Sequence, residues 1–239
     1  MRQIFTILKK ETVGFFSGLQ GYIIISIYLV FVGGMTFYLH DSLGQRHVDA
    51  RPFFFWAAVA LLILVPALTM RIFAEENRSG AIELLMTLPI ADEFIVLGKY
   101  FSILFVVALS LFLTLAYPLT LQAYGDLDWG ALFGGYLGLF LLGAVFAAIG
   151  MAASCSSKNQ MLSFLITFVL SALPFVTGYA LNKIPAVALP WVQFLSFEYH
   201  FGHLARGVLD SRDLLYYGSI IALCLHLTLV QLELRRLRS

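Results

Sequence analysis

Residues 70–90 read MRIFAEENRSGAIELLMTLPI. Arg71, Glu75, Glu76, Arg78 and Glu83 fall inside this stretch, and a long apolar run flanks it on each side. Ile82, Leu84, Leu85 and Leu88 recur at roughly helical intervals, so a short helix here has one oily face, with Glu83 on its polar side. Gly80 interrupts the pattern just before that helix, and Pro89 closes it. A plain connector is short and irregular. This pattern fits an amphipathic helix lying at a membrane surface.

The flanking runs settle the class. The chain has 239 residues, 60% hydrophobic and 12% charged, against about 25% charged in soluble domains. That composition predicts an all-α membrane protein. Six transmembrane helices are expected, over 21–39, 52–70, 96–121, 130–153, 161–181 and 214–232, in one domain covering 1–239. Residues 1–20 lack the short apolar core and small-residue cleavage site of a secretory signal. With Phe5, Leu8, Phe15 and Phe16 beside Lys9 and Lys10, they read as an interfacial helix. Residues 71–95 form the central loop. Residues 182–213 carry Pro185 and Pro190 and are too interrupted for an ordinary span, so a re-entrant hairpin or interfacial helices are expected there. Pro66 predicts a kink in the second span and Pro118 a bend at the far end of the third. Gly134 and Gly138 make a GxxxG pair, continued by Gly143, Ala147 and Gly150, which suits close helix contact within the bundle or across a dimer.

Charge orients the spans. With both ends inside, the inner side holds Arg2, Lys9, Lys10, Arg71, Arg78, Lys99, Lys158, Arg235, Arg236 and Arg238, ten of the fifteen basic residues. The outer side carries more acids than bases, among them Asp126, Asp128, Glu198, Asp210 and Asp213. The excess of Lys and Arg on cytoplasmic loops then places both termini and the 71–95 loop in the cytoplasm.

Phe73 to Pro89, F-A-E-E-N-R-S-G-A-I-E-L-L-M-T-L-P, resembles the cytoplasmic loop of ABC-2 type transporter permeases, closest to the gliding-motility-type branch, with Ala81 where Thr is usual. Lys9 to Ile23, K-K-E-T-V-G-F-F-S-G-L-Q-G-Y-I, is similar to that family's start, and His200 to Tyr217 fits its H-F-x-x-x-x-R-G-V-x-D-x-R-D-x-x-Y-Y pattern. The resemblance implies the ABC-2 (type V exporter-like) permease fold, with an N-terminal elbow helix and a coupling helix between spans 2 and 3. It implies that Glu75, Glu76, Arg78, Gly80, Glu83, Leu84, Leu85 and Pro89 form the face that docks an ATPase. The implied complex has two ATP-binding subunits, which bind the ATP and Mg, and a second permease subunit, identical or related. It sits in a bacterial inner membrane and has room for an accessory membrane or extracytoplasmic protein. Its task would be export or extraction of an unidentified substrate. A membrane scaffold without translocation is the alternative.

Other chemistries lack their residues. No G-x-x-x-x-G-K-[ST] string exists, so no nucleotide-binding loop and no ATP hydrolysis is expected in this chain. Glu198, His200 and His203 are weighed as metal ligands, but the H-E-x-x-H arrangement is absent and a hydrogen-bonded outer helix is favoured. Ser163, Ser171 and Ser219 sit in spans without a nucleophile motif, and a lone His226 is expected to face the bundle. Cys155 and Cys224 read as apolar packing residues. Phe53, Phe54, Phe55, Trp56, Trp129 and Trp191 are read as interfacial aromatics. The near absence of mid-span charge speaks against an ion-coupled secondary transporter. Nothing suggests a nucleic-acid partner; the bilayer itself is the surrounding partner.

Overall fold

The computed structural model describes residues 2–39, 50–82, 90–125, 127–178 and 189–236. Every regular element among them is helical. In chain order these are α1 (Arg2–Ser17), α2 (Leu19–Gly34, continued as a π-helix over Met35–Leu39), α3 (Arg51–Thr69), α4 (Ala74–Ser79), α5 (Asp92–Leu113), α6 (Ala116–Gln122), α7 (Trp129–Ser156), α8 (Gln160–Thr177), α9 (Leu189–Leu195), α10 (Phe197–Ala205) and α11 (Ser211–Arg236). Among the described residues six segments are long and apolar enough to cross a bilayer: α2, α3 with its continuation, α5 with α6, α7, α8 and α11.

The core is built on α3 and α7, which are buried along most of their length, while α2, α8 and α11 lie around them. Leu61, Val65, Val107, Leu142, Val145 and Phe146 are fully enclosed at its centre. Glycines set how closely α7 is approached. A Cβ on Gly143 would meet Val107 Cγ1 at 2.9 Å, and one on Gly138 would meet the Phe201 ring at 3.0 Å. A Cβ on Gly134 would run into the backbone of Leu204 and Gly207. The GxxxG pair therefore packs within the chain, against α10 and the turn after it.

The third span breaks between Leu113 and Ala116, one turn before Pro118. Pro118 has no N–H for the Thr114 carbonyl, and Tyr117 N donates to that carbonyl instead at 3.0 Å. α3 runs through Pro66 to Thr69. Two expectations change. Phe53 and Phe54 are not interfacial: both are buried, edge-on to Tyr136 or tilted against it. Gly135 leaves the room that the Phe54 ring occupies. His226 is exposed on α11 instead of facing the bundle. Cys224, Thr228 and Leu232 form the inner stripe at helical spacing, and two residues along from Cys224 the helix has turned to its far side.

Candidate functional site

α4 is the part of the central loop that the structure describes in helical form, and six residues cannot hold a helix by themselves. Its N-cap position, Phe73, offers no side-chain acceptor. Ser154, at the last turn of α7, takes that part: its Oγ accepts from both Phe73 N and Ala74 N at 3.1 Å. The first donors of a helix have no partner within it, so the α3–α4 corner is fixed onto α7. At the other end Gly80 adopts φ 74°, the left-handed conformation in which glycine closes a helix.

Asn77, buried on the inner side of α4, does the same for the end of α7. Its Nδ2 donates to Cys155 O at 3.1 Å and Ser157 O at 2.9 Å. Arg235, near the end of α11, donates from Nη1 to Asn77 Oδ1 and from Nη2 to Cys155 O at 2.6 Å. The loop, the fourth span and the last span thus share one polar knot.

Lys99 makes a second knot. Its side chain, on the third turn of α5, is 1% exposed, and its Nζ lies 2.7 Å from Glu76 Oε1 and 3.0 Å from Glu11 Oε1. It also donates to Ile72 O at 3.1 Å and sits 5.1 Å from the centre of the Phe73 ring. A buried ammonium has three donors to satisfy, and α1, α4 and the α3–α4 corner supply the three acceptors. Glu76 Oε2 has no partner.

The expected docking residues therefore divide. Glu76 is engaged inside the chain. Glu75, Arg78 and Gly80 are exposed on α4. Glu83, Leu84, Leu85 and Pro89 lie outside the described residues. Beside Arg78 an open cleft of about 680 Å³ runs to Lys158, Asn159 and Gln160 in the α7–α8 turn. Sequence reasoning passed over Asn77, Ser154 and Glu11 and took Lys99 and Arg235 for orienting charges. A lysine and a serine set into apolar helices were the available signal, since buried polar groups on spans need partners.

The opposite end holds the other polar cluster. Ser196 caps α10, its Oγ accepting from Tyr199 N at 3.3 Å. His200 is buried with both ring nitrogens facing protein oxygens: Nδ1 is 2.6 Å from Asp213 Oδ1 and Nε2 is 3.3 Å from Phe194 O. Its ring stacks on Tyr216 at 4.0 Å. Tyr216 and Tyr217 hydroxyls donate to Leu195 O at 2.8 Å and Phe197 O at 3.1 Å. His203 Nδ1 stands 3.4 Å from Asp213 Oδ2. These bonds hold α9 and α10 onto α11 and leave His200 no nitrogen for a metal. Among the described residues no three His, Cys, Asp or Glu side chains group as metal ligands. Glu198 is partly buried, because Gly178 brings the end of α8 against it: a Cβ on Gly178 would meet Glu198 Cβ at 2.6 Å. That burial raises the Glu198 carboxyl above its ordinary 4.5, against the opposing pull of Arg206 and His203. Ser219 bonds its own helix at Tyr216 O, 2.8 Å away.

No curated protein matches the chain. The family model described as ABC-2 family transporter protein matches residues 45–230, from before the second candidate membrane helix into the sixth. Members of that family are the membrane components of ABC transporters, which pair with a separate ABC ATPase and are not ATPases themselves. With six candidate spans and most of its length matched, this chain belongs to the ABC-2 family, as a multi-pass permease subunit of an ABC transporter.

Proposed function

We propose that this subunit transmits the work of an ATP-binding partner, docked on the 71–90 loop, to the spans that move a substrate. Both termini then lie in the cytoplasm, in a bacterial inner membrane, and the chain falls in the gliding-motility-type branch. Two ATP-binding subunits holding the ATP and Mg serve two permease subunits, identical or related. The cargo is exported or extracted.

One observation carries this reading. α4 is tied to three spans by side chains from each of them, Lys99 on α5, Ser154 on α7 and Arg235 on α11, and through Lys99 to Glu11 on α1. A loop that merely joined two spans would need none of these bonds. A push on the exposed Glu75 and Arg78, or on the segment that follows them, passes through the two polar knots to the helix ends. Apolar mid-span helices give no site for a coupling ion, so the energy has to enter at such a face.

The test is a mild-detergent pull-down of the tagged chain from its native host. A P-loop protein recovered in amounts comparable to the chain supports the reading. Recovery alone, or with other membrane proteins only, in several detergents, overturns it. Glu83→Lys reverses charge on the polar face of the loop and is expected to lower ATPase recovery while membrane insertion is unchanged. Equal recovery would remove Glu83 from the docking face.

A further inference from the structure

The structure holds a second cleft, apart from the one beside Arg78 and sharing Glu75 with the proposed docking face. It lies between α1, α2, α3 and α5, beside the Lys99 knot, and encloses about 560 Å³, within the range of small-molecule sites, roughly 300–1,000 Å³. Its walls are apolar: Phe15 on α1, Ile23 and Ile24 on α2, Leu68 on α3, Ile103 and Val106 on α5. Ile23 is half exposed, so the cleft opens along α2 onto the surface that meets lipid. Its mouth is charged with both signs, carrying the exposed Lys10, Arg71 and Glu75.

The charges lining and bordering the cleft balance. Lys10, Arg71 and Lys99 stand against Glu11, Glu75 and Glu76. Two polar atoms of lining residues also lack partners, Thr12 Oγ1 and Glu76 Oε2. An anionic headgroup suits only the cations of such a mouth. A headgroup carrying a phosphate and a primary ammonium suits all of it: the phosphate meets Lys10 and Arg71, and the ammonium donates to Glu75. A choline headgroup has no N–H to give.

We propose that this cleft is a binding site for one phospholipid of the adjoining leaflet, with an ethanolamine headgroup at the Lys10–Arg71–Glu75 mouth and an acyl chain against the α2 and α5 walls. The lipid lies between α1 and the spans that Lys99 joins, so it is a structural ligand of the elbow and does not compete with an ATPase for Arg78.

The test uses the full-length chain in detergent with equal amounts of palmitoyl-oleoyl phosphatidylethanolamine, phosphatidylcholine and phosphatidylglycerol, read by native mass spectrometry. One retained phosphatidylethanolamine per chain is expected, favoured over phosphatidylcholine by roughly tenfold, the scale of one charge-assisted hydrogen bond. Glu75→Gln should bring that ratio towards parity. Gly14 lines the cleft, and a Cβ there meets nothing within 4 Å, so Gly14→Trp fills the space without displacing the wall and should abolish retention. Ile23→Trp, on a different helix, should do the same, each variant being compared at wild-type helical content. Equal retention of the three lipids, preference for phosphatidylglycerol, or a phosphatidylethanolamine adduct that survives both tryptophans would overturn the proposal. No ATPase is present in the assay, so failure here leaves the docking reading untouched and the converse also holds.

Discussion

Lys99 is the residue on which the basic end of the bundle turns. Its ammonium is 1% exposed and has two carboxylates, Glu11 and Glu76, on it. Removing one carboxylate leaves the other in place, while removing both leaves a buried cation with neutral acceptors such as the Ile72 carbonyl and no counterion. Glu11→Gln and Glu76→Gln should each lower the melting temperature modestly. The double variant should cost about 3–5 kcal/mol, the scale of a buried charge left without its counterion. Thermal melting in detergent reads the cycle, and strict additivity of the two singles would show that they do not share the lysine. Glu198 gives a pH-dependent counterpart at the other end. Burial raises its carboxyl above the usual 4.5. A raised folded-state value adds stability that is complete below the unfolded value and is lost as pH rises through the folded one. Glu198→Gln carries no such loss. Its melting temperature should therefore gain on the wild type as pH is raised from about 4 to about 7. A constant difference over that window would mean that Glu198 is free of its burial.

At the scale of elements, α7 is a helix whose glycines are fitted to particular neighbours. Gly143 faces Val107 on α5, Gly138 faces Phe201 on α10, and Gly150 faces Thr69 on α3. Without a hydrophobic drive between helices in lipid, this closeness is what packing rests on. Gly143→Ala puts a methyl 2.9 Å from Val107 Cγ1. Valine is stiff about χ1, so the variant should lose about 1–3 kcal/mol. Val107→Ala removes the obstructing methyl and should restore part of that loss in the double variant. The glycine spacing was legible in the sequence; its partners were not. GxxxG states that a backbone is approached, and only the fold says by what. The spans were legible for a like reason, since composition alone forces apolar runs into the bilayer. The burial of Phe53 and Phe54 was not, because it depends on the hollow left at Gly135. The candidate site was half legible. Glu75, Arg78 and Gly80 could be read as a polar turn, whereas the ties of Asn77, Ser154 and Arg235 join residues far apart in sequence, from 77 to 158 positions.

Taken as a whole molecule, the subunit is clamped at both ends and apolar between them. The Lys99 and Asn77–Arg235 knots bind the end that carries the central loop, and the His200–Asp213 pair with the Tyr216 and Tyr217 hydroxyls binds the other. The middle, around Leu61, Val107, Leu142 and Phe146, is held mainly by packing, with the Tyr100 hydroxyl donating across to Ala144 O at 3.1 Å. Such a body moves by shifting helices against one another about tied ends, because packed cores favour discrete arrangements over continuous bending. Docking and transmission then rest on different residues. The sequence pattern puts Glu83 on the polar side of the proposed docking helix, so Glu83→Lys should act on ATPase binding. Asn77 is buried and makes its bonds to α7 and Arg235, so Asn77→Leu should leave the ATPase bound while cutting the loop from the fourth and sixth spans. In the purified complex, Asn77→Leu is expected to recover the ATPase at wild-type yield, with a turnover that falls to that of the isolated ATPase and no longer responds to the membrane subunit. Loss of ATPase recovery in Asn77→Leu at wild-type helical content would make the knot part of the docking face itself. Wild-type turnover and response would show that force does not pass through it.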